Sequence, residues 1–292
     1  MTIVQSAATE LVISACTAQD RGGRPDQQDR VAVLTSDLAP RCVLGLLADG
    51  MGGRSGGALA AENVVLTSRR RFGEFSPEVE PVDDFFHSLV DEVHTVLRLT
   101  GMTAGMEPHS TFAAVLLQPK RVDWCHVGDS RIYHIRDRKL MHCTADHTYA
   151  QHLINQGKLP AERARLHPSA NFLVNALGSA RKPQGTIGAL LGPRPGDAFL
   201  ICSDGLWNYF HAGEIVLVIE QMNAREAAET LMARASERAQ GKGDNCSLVL
   251  LKFSEAVQPG AAPEPGAASS SPAARPSRDR AAPAREPDLR AL

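Results

Sequence analysis

Eight short apolar segments, rich in β-branched residues, are spread along the first 254 positions of the chain and predict β-strands. They are residues 11–18, 30–35, 42–48, 111–117, 122–127, 131–135, 197–203 and 245–253. The three central segments are separated only by short polar turns, Gln-Pro-Lys-Arg and Gly-Asp-Ser, which predicts an antiparallel meander. The strands therefore come in hairpin-like groups rather than in alternation with helices.

Helical spacing of apolar side chains marks three further segments. Large apolar residues between Phe85 and Leu97 recur three or four positions apart, after a start rich in Pro and Asp, which predicts an amphipathic helix. The same spacing predicts helices over residues 215–222 and 227–235. Because these helices are set apart from the hairpin-like strands, the pattern indicates an α+β fold with antiparallel sheets.

Capping residues predict where two helices begin. Asp146 is placed to cap a helix that continues through Ile154 and stops at Gly157. Asn223, followed three positions later by Glu226, has the arrangement of a capping box at the start of the last predicted helix.

The composition of the chain changes sharply after Ser254. Residues 255–292 hold seven of the 18 prolines and eleven alanines, with almost no large apolar side chains. Such a segment cannot bury enough apolar surface to offset its ordering entropy. We therefore predict one folded domain over residues 1–254 and a disordered Pro/Ala-rich tail over residues 255–292.

Overall charge and cysteine content narrow the range of functions. The chain has 292 residues, and 43% of them are hydrophobic, which is enough for a sizeable core. Its formal net charge of -2 provides no strong field for nucleic acid or anionic membrane. No stretch approaches the roughly 18 apolar residues of a membrane span, and the N-terminus lacks the pattern of a signal peptide. The six cysteines form no CxxC pair, so we expect reduced, mostly buried thiols in a cytoplasmic protein.

Five aspartates lie where apolar strands begin or end, and four of them have an adjacent glycine. They are Asp29, Asp49, Asp129, Asp204 and Asp244. A carboxylate beside a buried strand costs free energy unless a positive group meets it. Carboxylate oxygens grouped at one end of a sheet are ligands that Mg²⁺ and Mn²⁺ prefer, and glycine lets the backbone approach closely. Each Asp-Gly pair alone is more often a turn than a ligand, so the metal interpretation requires the five acids to converge.

Three known phosphate-binding motifs do not fit the sequence. The glycine-rich stretch 50–57 has Ser55 where a dinucleotide fingerprint needs glycine, and it lacks the lysine of a P-loop. Cys125 and Arg131 have the spacing of a cysteine-nucleophile phosphatase, but Asp129 between them is unsuited to a phosphate cradle. The sequence therefore favours a metal site over these glycine-rich and cysteine-based motifs.

Seven segments occur in a specific order along the chain. They are DRGGRPDQQD (20–29), LLADGMGGRSGG (46–57), HVGDSRIY (126–133), TADHTYAQHLINQGKL (144–159), HPSANFLVNALG (167–178), LICSDGLWN (200–208) and GDNCSLVLL (243–251). In this order the segments resemble the metal-dependent serine/threonine protein phosphatases of the PPM, or type 2C, family, in a bacterial form. The resemblance implies a four-layer α-β-β-α sandwich, in which two antiparallel sheets are flanked by helices.

The resemblance also implies a site for two or three Mn²⁺ or Mg²⁺ ions. The implied metal-site residues are Asp29, Asp49, Gly50, Asp129, Asp204 and Asp244. In such a site Asp49 would bridge two metals and Gly50 would offer its carbonyl. Asp129 would help to bind a third metal, and Asp29 would act through bound water. Arg24 matches the arginine that grips the substrate phosphate, so Arg24 and Asp49 are the implied catalytic residues.

Several positions depart from the family pattern or need a role of their own. Gln28 stands where an acid is frequent, which leaves less negative charge at the first metal. Met51 stands where many eukaryotic members have a histidine that could protonate the leaving group, so the general acid is unassigned. His147 and His167 are expected to be structural hydrogen-bonding residues, and His126 to support the site from a second layer.

The implied function is hydrolysis of phosphoserine and phosphothreonine on proteins by a metal-activated water, in opposition to a Ser/Thr kinase. Residues 144–178 resemble the family's flap, which borders the cleft and shapes substrate choice. Two alternatives stay open, namely a catalytically silent phosphoprotein-binding module and an anti-sigma-type regulator. Retention of Asp49, Asp129 and Asp204, together with Asp244, argues against the silent module.

Overall fold

The computed structural model describes residues 11–255, except for the side chains of residues 53–55 and 165–166. From position 256 onward the predicted tail lies outside the described residues, so its disorder and the boundary at Ser254 stay predictions. The strands are β1 (Leu11–Asp20), β2 (Asp29–Thr35), β3 (Val43–Met51), β4 (His109–Ser110), β5 (Phe112–Gln118), β6 (Arg121–Val127), β7 (Arg131–Arg136), β8 (Lys139–Cys143), β9 (Thr186–Leu191), β10 (Ala198–Cys202) and β11 (Cys246–Glu255). The helices are α1 (Gly53–Glu74), α2 (Val82–Ala104), α3 (Tyr149–Asn155), α4 (Asp204–Trp207), α5 (Ala212–Gln221) and α6 (Ala224–Ala239).

The strands form two antiparallel sheets. Sheet A has the order β1-β11-β10-β7-β8, and sheet B has the order β2-β3-β5-β6-β9, with the short β4 paired to β3. The predicted three-strand meander is wrong in its third strand. Strands β5 and β6 pair within sheet B, whereas β7 pairs with β10 and β8 in sheet A. The turn between β6 and β7 therefore carries the chain from one sheet to the other.

Buried side chains form three layers that define a four-layer α-β-β-α sandwich. One layer lies between sheet B and helices α1 and α2 and includes Phe72, Phe85 and Leu46. The second lies between the two sheets and includes Val115 and Val249. The third packs sheet A against α5 and α6. Central strands buried on both faces are continuously apolar, which is why the apolar segments predicted strands correctly.

All eight predicted strands and the predicted α+β fold are confirmed, with ends that differ by at most three residues. The capping box of α6 is confirmed, because the Asn223 side chain accepts hydrogen bonds from the backbone N–H groups of Arg225 and Glu226. Within residues 11–255, no helix is both long enough and apolar enough to cross a bilayer.

The prediction that Asp146 caps α3 is wrong. The helix begins at Tyr149, and its N-cap is Thr148, whose side chain accepts a hydrogen bond from the backbone N–H of Gln151. Asp146 instead accepts two hydrogen bonds of 2.8 Å from the guanidinium of Arg131. A bidentate ion pair with an arginine of β7 is stronger than a cap, and the cap role passes two residues along the chain.

Candidate metal centre

Two of the five aspartates face each other across neighbouring strands of sheet B. Asp29 is the first residue of β2, and Asp49 lies near the end of β3, directly opposite it in the antiparallel register. The apolar run of β3 thus ends in a carboxylate at the same end of the sheet at which β2 begins with one.

The remaining three aspartates reach the same end of the sandwich from other directions. Asp204 follows β10 of sheet A as the first residue of α4, and Asp244 lies two residues before β11 of the same sheet. Asp129 lies in the turn that joins β6 to β7 and so crosses from one sheet to the other. The predicted convergence of acids therefore draws on both sheets.

A cleft of about 570 Å³ opens at this end of the sandwich. It is lined by Arg24, Pro25, Asp26, Gln28, Asp49, Gly50, Met51, Gly52, Asp129, Asn171, Leu173, Asp204, Asp244 and Asn245. Of the five aspartates named from the sequence, Asp29 alone is absent from this lining. It is fully buried and lies beside Asp49 on the neighbouring strand.

Burial, and after it the charges of neighbouring carboxylates, raises the pKa values of three carboxyl groups in the cleft. Burial raises the pKa of Asp49 well above its ordinary value, and the charges of Asp29 and Asp204 raise it further. Burial and the charge of Asp204 raise the pKa of Asp129 to about 7. Burial and the charge of Asp244 raise the pKa of Asp204 to about 6. The group therefore holds more negative charge than the neighbouring protein groups neutralise.

Asp29 has one satisfied and one unsatisfied oxygen. The Ser203 hydroxyl donates a hydrogen bond of 2.9 Å to Oδ2, whereas Oδ1 has no hydrogen-bond partner among residues 11–255. Burial raises the pKa of this carboxyl to about 7. A buried oxygen without a partner is rare in proteins and points to a water or an ion as its partner.

Arg24 lies at the mouth of the cleft and pairs with one of the acids. Its Nη2 atom is 2.5 Å from Oδ2 of Asp244. Asn245 organises this region, because its Nδ2 donates to the backbone carbonyls of Arg21 and Asp26 and its Oδ1 accepts from the N–H of Gln28. Sequence reasoning did not find Asn245, whose position beside Asp244 was the only signal.

Gly50 is a position at which the backbone has no room for a side chain. A Cβ atom there would lie 1.9 Å from the carbonyl oxygen of Gly57 and 2.8 Å from that of Gln28. The N–H of Gly50 donates to the same Gln28 carbonyl at 3.2 Å. The loop that carries Arg24 is thus packed directly on the end of β3.

The donor chemistry of the cleft fits hard divalent cations. Carboxylate oxygens, raised pKa values and the unsatisfied oxygen of Asp29 are what such a site provides. In the part of the chain that the structure describes, no set of three or more His, Cys, Asp or Glu side chains is already spaced to hold an ion. The ion pair of Arg24 occupies one oxygen of Asp244. Which residues ligate a metal thus stays a prediction.

Thr111 fixes the acid at the end of β3. Its hydroxyl accepts a hydrogen bond of 3.0 Å from the N–H of Asp49, and its own N–H donates to the Asp49 carbonyl at 2.9 Å. The hydroxyl also lies 2.7 Å from that of Ser130, beside Asp129. Sequence reasoning did not identify this connection between two acids.

The histidines behave as hydrogen-bonding residues, as the sequence predicted. His147 Nδ1 accepts from the N–H of Gly128, next to Asp129, and its ring stacks on that of His126 with centroids 4.4 Å apart. His167 Nδ1 accepts from the N–H of Ser169. Met51 lines the cleft, so this position holds no proton donor.

The thiol of Cys125 is excluded as a nucleophile. It is fully buried in β6, and burial raises its pKa to about 12. A thiol in that state does not ionise near neutral pH. All six cysteines lie within the described residues and are free, and four of them are buried.

Comparison with known proteins identifies the family. The sequence profile described as protein phosphatase 2C matches residues 21–248. The chain therefore belongs to the protein phosphatase 2C family.

Two relatives show how far the likeness extends. The chain is 30% identical over 250 residues to the serine/threonine protein phosphatase PstP of Mycobacterium tuberculosis; the match covers 84% of this chain and 46% of that protein. The chain therefore spans about half the length of this relative. The structure of the S. agalactiae serine/threonine phosphatase matches with a TM-score of 0.76 and 26% identity, over 82% of this chain and 99% of that one.

A third comparison concerns metal. The structure of the catalytic domain of a serine/threonine phosphatase PstP in complex with two manganese ions matches with a TM-score of 0.70 and 27% identity. The match covers 84% of this chain and 100% of that one. The matching catalytic domain, which has the same fold, thus holds two manganese ions.

Proposed function

We propose that the chain is a metal-dependent protein phosphatase that hydrolyses phosphoserine and phosphothreonine on proteins. The observation that carries the proposal is the cleft in which acids from both sheets, with raised pKa values, meet an exposed arginine. Membership of the protein phosphatase 2C family and the names of the relatives support it.

The acids would hold two or three Mn²⁺ or Mg²⁺ ions. We assign the first two ions to Asp49, Asp204 and Asp244 with the carbonyl of Gly50, and a third ion to Asp129. Bound cations supply Lewis acidity and a water of lowered pKa as the nucleophile. The buried Asp29, with its unsatisfied Oδ1, would accept a hydrogen bond from water held behind Asp49.

Arg24 is assigned to the substrate phosphate. Its side chain is 59% exposed and its partner Asp244 is 38% exposed, so the ion pair between them contributes about 0–1 kcal/mol and is easily exchanged. The guanidinium can donate two parallel hydrogen bonds to phosphate oxygens, which orients the phosphorus and offsets charge in the transition state.

The partners follow from this chemistry. We propose phosphorylated proteins as substrates and a Ser/Thr kinase as the enzyme that supplies them. The six free cysteines agree with a reducing, cytoplasmic location.

The test is a comparison of hydrolysis with and without metal. The purified chain is incubated with para-nitrophenyl phosphate or a phosphothreonine peptide, in Mn²⁺ and then in chelator. We expect metal-dependent hydrolysis that falls more than about 100-fold in Asp49→Asn and in Asp204→Asn, because each removes a charged ligand. Asp84→Asn is the matched control, since Asp84 is an exposed acid of α2.

Three results would oppose the proposal. Equal turnover in chelator would indicate a different chemistry. Peptide binding without turnover in any metal would indicate the silent binding module. Loss of activity in Asp84→Asn as large as in Asp49→Asn would show that the effect is not specific to the cleft.

A further inference from the structure

The turn between β6 and β7 sets the position of Asp129. This turn comprises residues 128–130, and Gly128 is its first residue. The N–H of Gly128 donates to Nδ1 of His147 at 3.1 Å, and the N–H of His147 donates to the carbonyl of Gly128 at 2.9 Å. One histidine therefore holds both polar groups of the residue that precedes Asp129.

The ring of His147 is itself fixed. Its Nε2 lies 3.0 Å from the Thr186 hydroxyl. Its Nδ1 lies 2.9 Å from Nδ2 of Asn175 and 3.1 Å from the Gly128 amide nitrogen. These contacts require an Nε2–H tautomer with an acceptor at Nδ1. Burial lowers the pKa of His147 to about 4, so the ring is neutral at neutral pH and keeps that acceptor.

Other contacts also restrict the turn. Gly128 has a φ of +104°, and a Cβ there would lie 2.7 Å from Cγ2 of Thr111. On the other side of the turn, the indole Nε1 of Trp207 donates to the Asp129 carbonyl at 3.0 Å. The two bonds to His147 restrict the backbone at Gly128 itself.

His147 also holds a wall of the cleft. Its carbonyl accepts a hydrogen bond of 2.9 Å from the N–H of Val174, and Asn175 reaches its ring. The neighbouring residues Asn171 and Leu173 line the same cleft as Asp129. The same histidine thus contacts both the turn with the acid and the segment that carries these two lining residues.

We propose that His147 is a positioning residue whose Nδ1, by accepting the Gly128 N–H, orients Asp129 for cation binding. The proposal rests on the metal centre of the proposed function. It distinguishes the two ring nitrogens, because only Nδ1 contacts the turn, whereas Nε2 contacts Thr186.

Two substitutions separate the roles of the nitrogens. In His147→Asn the side-chain oxygen can take the place of Nδ1, and in His147→Gln the amide nitrogen can take the place of Nε2. Mn²⁺ binding is measured by titration calorimetry, with Asp129→Asn marking the ion that depends on this acid. We expect His147→Gln to lower the affinity for that ion by about 10–100-fold, which is the usual effect of losing an outer-shell partner. His147→Asn should keep the affinity within about threefold of the wild type.

The other outcomes overturn the inference. Equal affinities in the Asn and Gln variants, whether both are weakened or both are unchanged, would reduce His147 to a packing role. The reverse order would assign the role to Nε2. A wild-type chain that binds no Mn²⁺ would refute the proposed function itself, so the two failures are distinguishable.

A measurement on the wild-type chain covers the case in which His147→Gln does not fold. A ¹⁵N–¹⁵N coupling across the hydrogen bond should connect the Gly128 amide to Nδ1 of His147. If that coupling is absent and Nδ1 is protonated, the inference is overturned without any substitution.

Discussion

Asp29 and Asp49 lie directly opposite each other across β2 and β3, so two carboxylates share one end of sheet B. Like charges that face each other across a strand pair are destabilising. Both acids have raised pKa values, and burial is the main cause in each case. The pair is thus placed at a cost in stability, which a cation bound at Asp49 would offset.

Removal of one charge of this pair should stabilise the protein in chelator. We expect Asp49→Asn to raise Tm by about 2–4 °C, the shift that about 1 kcal/mol causes in a domain of this size. The same variant should lose the rise in Tm that Mn²⁺ causes in the wild type. Thermal unfolding followed by circular dichroism measures both effects. A lower Tm for the variant in chelator would contradict the expectation.

The pH dependence of stability in chelator has a definite sign. The folded pKa values are about 7 for Asp29 and Asp129 and about 6 for Asp204, above the ordinary 3.8. At pH values between the ordinary pKa and the folded pKa of each group, the folded state binds more protons than the unfolded state. The stability that these groups contribute therefore falls as pH rises from about 4 to about 7.

We therefore expect urea midpoints in chelator to be higher at pH 5 than at pH 8, with a smaller difference in Asp129→Asn. Saturating Mn²⁺ should reverse the trend, since cations bind the ionised carboxylates and compete with protons. A midpoint that rises with pH in chelator would count against the raised pKa values.

Arg24 should contribute to catalysis through geometry as well as charge. We expect Arg24→Ala to lower kcat/KM by about 10²–10³-fold, as loss of a transition-state donor does. Arg24→Lys should recover only part of this loss, because lysine cannot form two parallel bonds to phosphate. Steady-state kinetics measure the loss. Mn²⁺ affinity, measured by calorimetry, should not fall, since Arg24 competes for Asp244. Full activity of Arg24→Ala would remove Arg24 from the site.

The glycine at the end of β3 should not tolerate a methyl group. Gly50→Ala would place Cβ 1.9 Å from the Gly57 carbonyl, and we expect a loss of about 3 kcal/mol in the free energy of unfolding. Gly73→Ala, in α1, is the matched control, because no atom lies within 4 Å of its added Cβ. The control should be neutral or slightly stabilising in a helix. Equal urea midpoints for the two variants would show that the contact at Gly50 relaxes.

The sequence alone supported the central strands and the set of acids for one physical reason. Strands buried on both faces are continuously apolar, and a charge at their ends stands out. Strand β8 was not predicted because Lys139–Leu140–Met141–His142 is exposed and carries no such pattern. The two-residue β4 is too short to carry a pattern, and the edge strand β9 was also not predicted.

The contacts that position the site could not be predicted in the same way. Thr111, Asn245 and His147 act through hydrogen bonds to backbone groups far away in the sequence, such as Asp49, and no local pattern marks them. Asp146 was assigned to a helix cap because capping is a local rule, whereas its actual partner, Arg131, is set by the tertiary fold.

The acids of the cleft come from both sheets, so their spacing depends on the thickness of the interior between them. Gly45 of β3 lies in that interior, where an added Cβ would be 2.9 Å from Cδ1 of Leu251 in β11. Side-chain volume deep inside the sandwich thus sets the separation of acids that come from different sheets. Substitutions among these aliphatic residues would change that separation while every polar group of the cleft stayed the same.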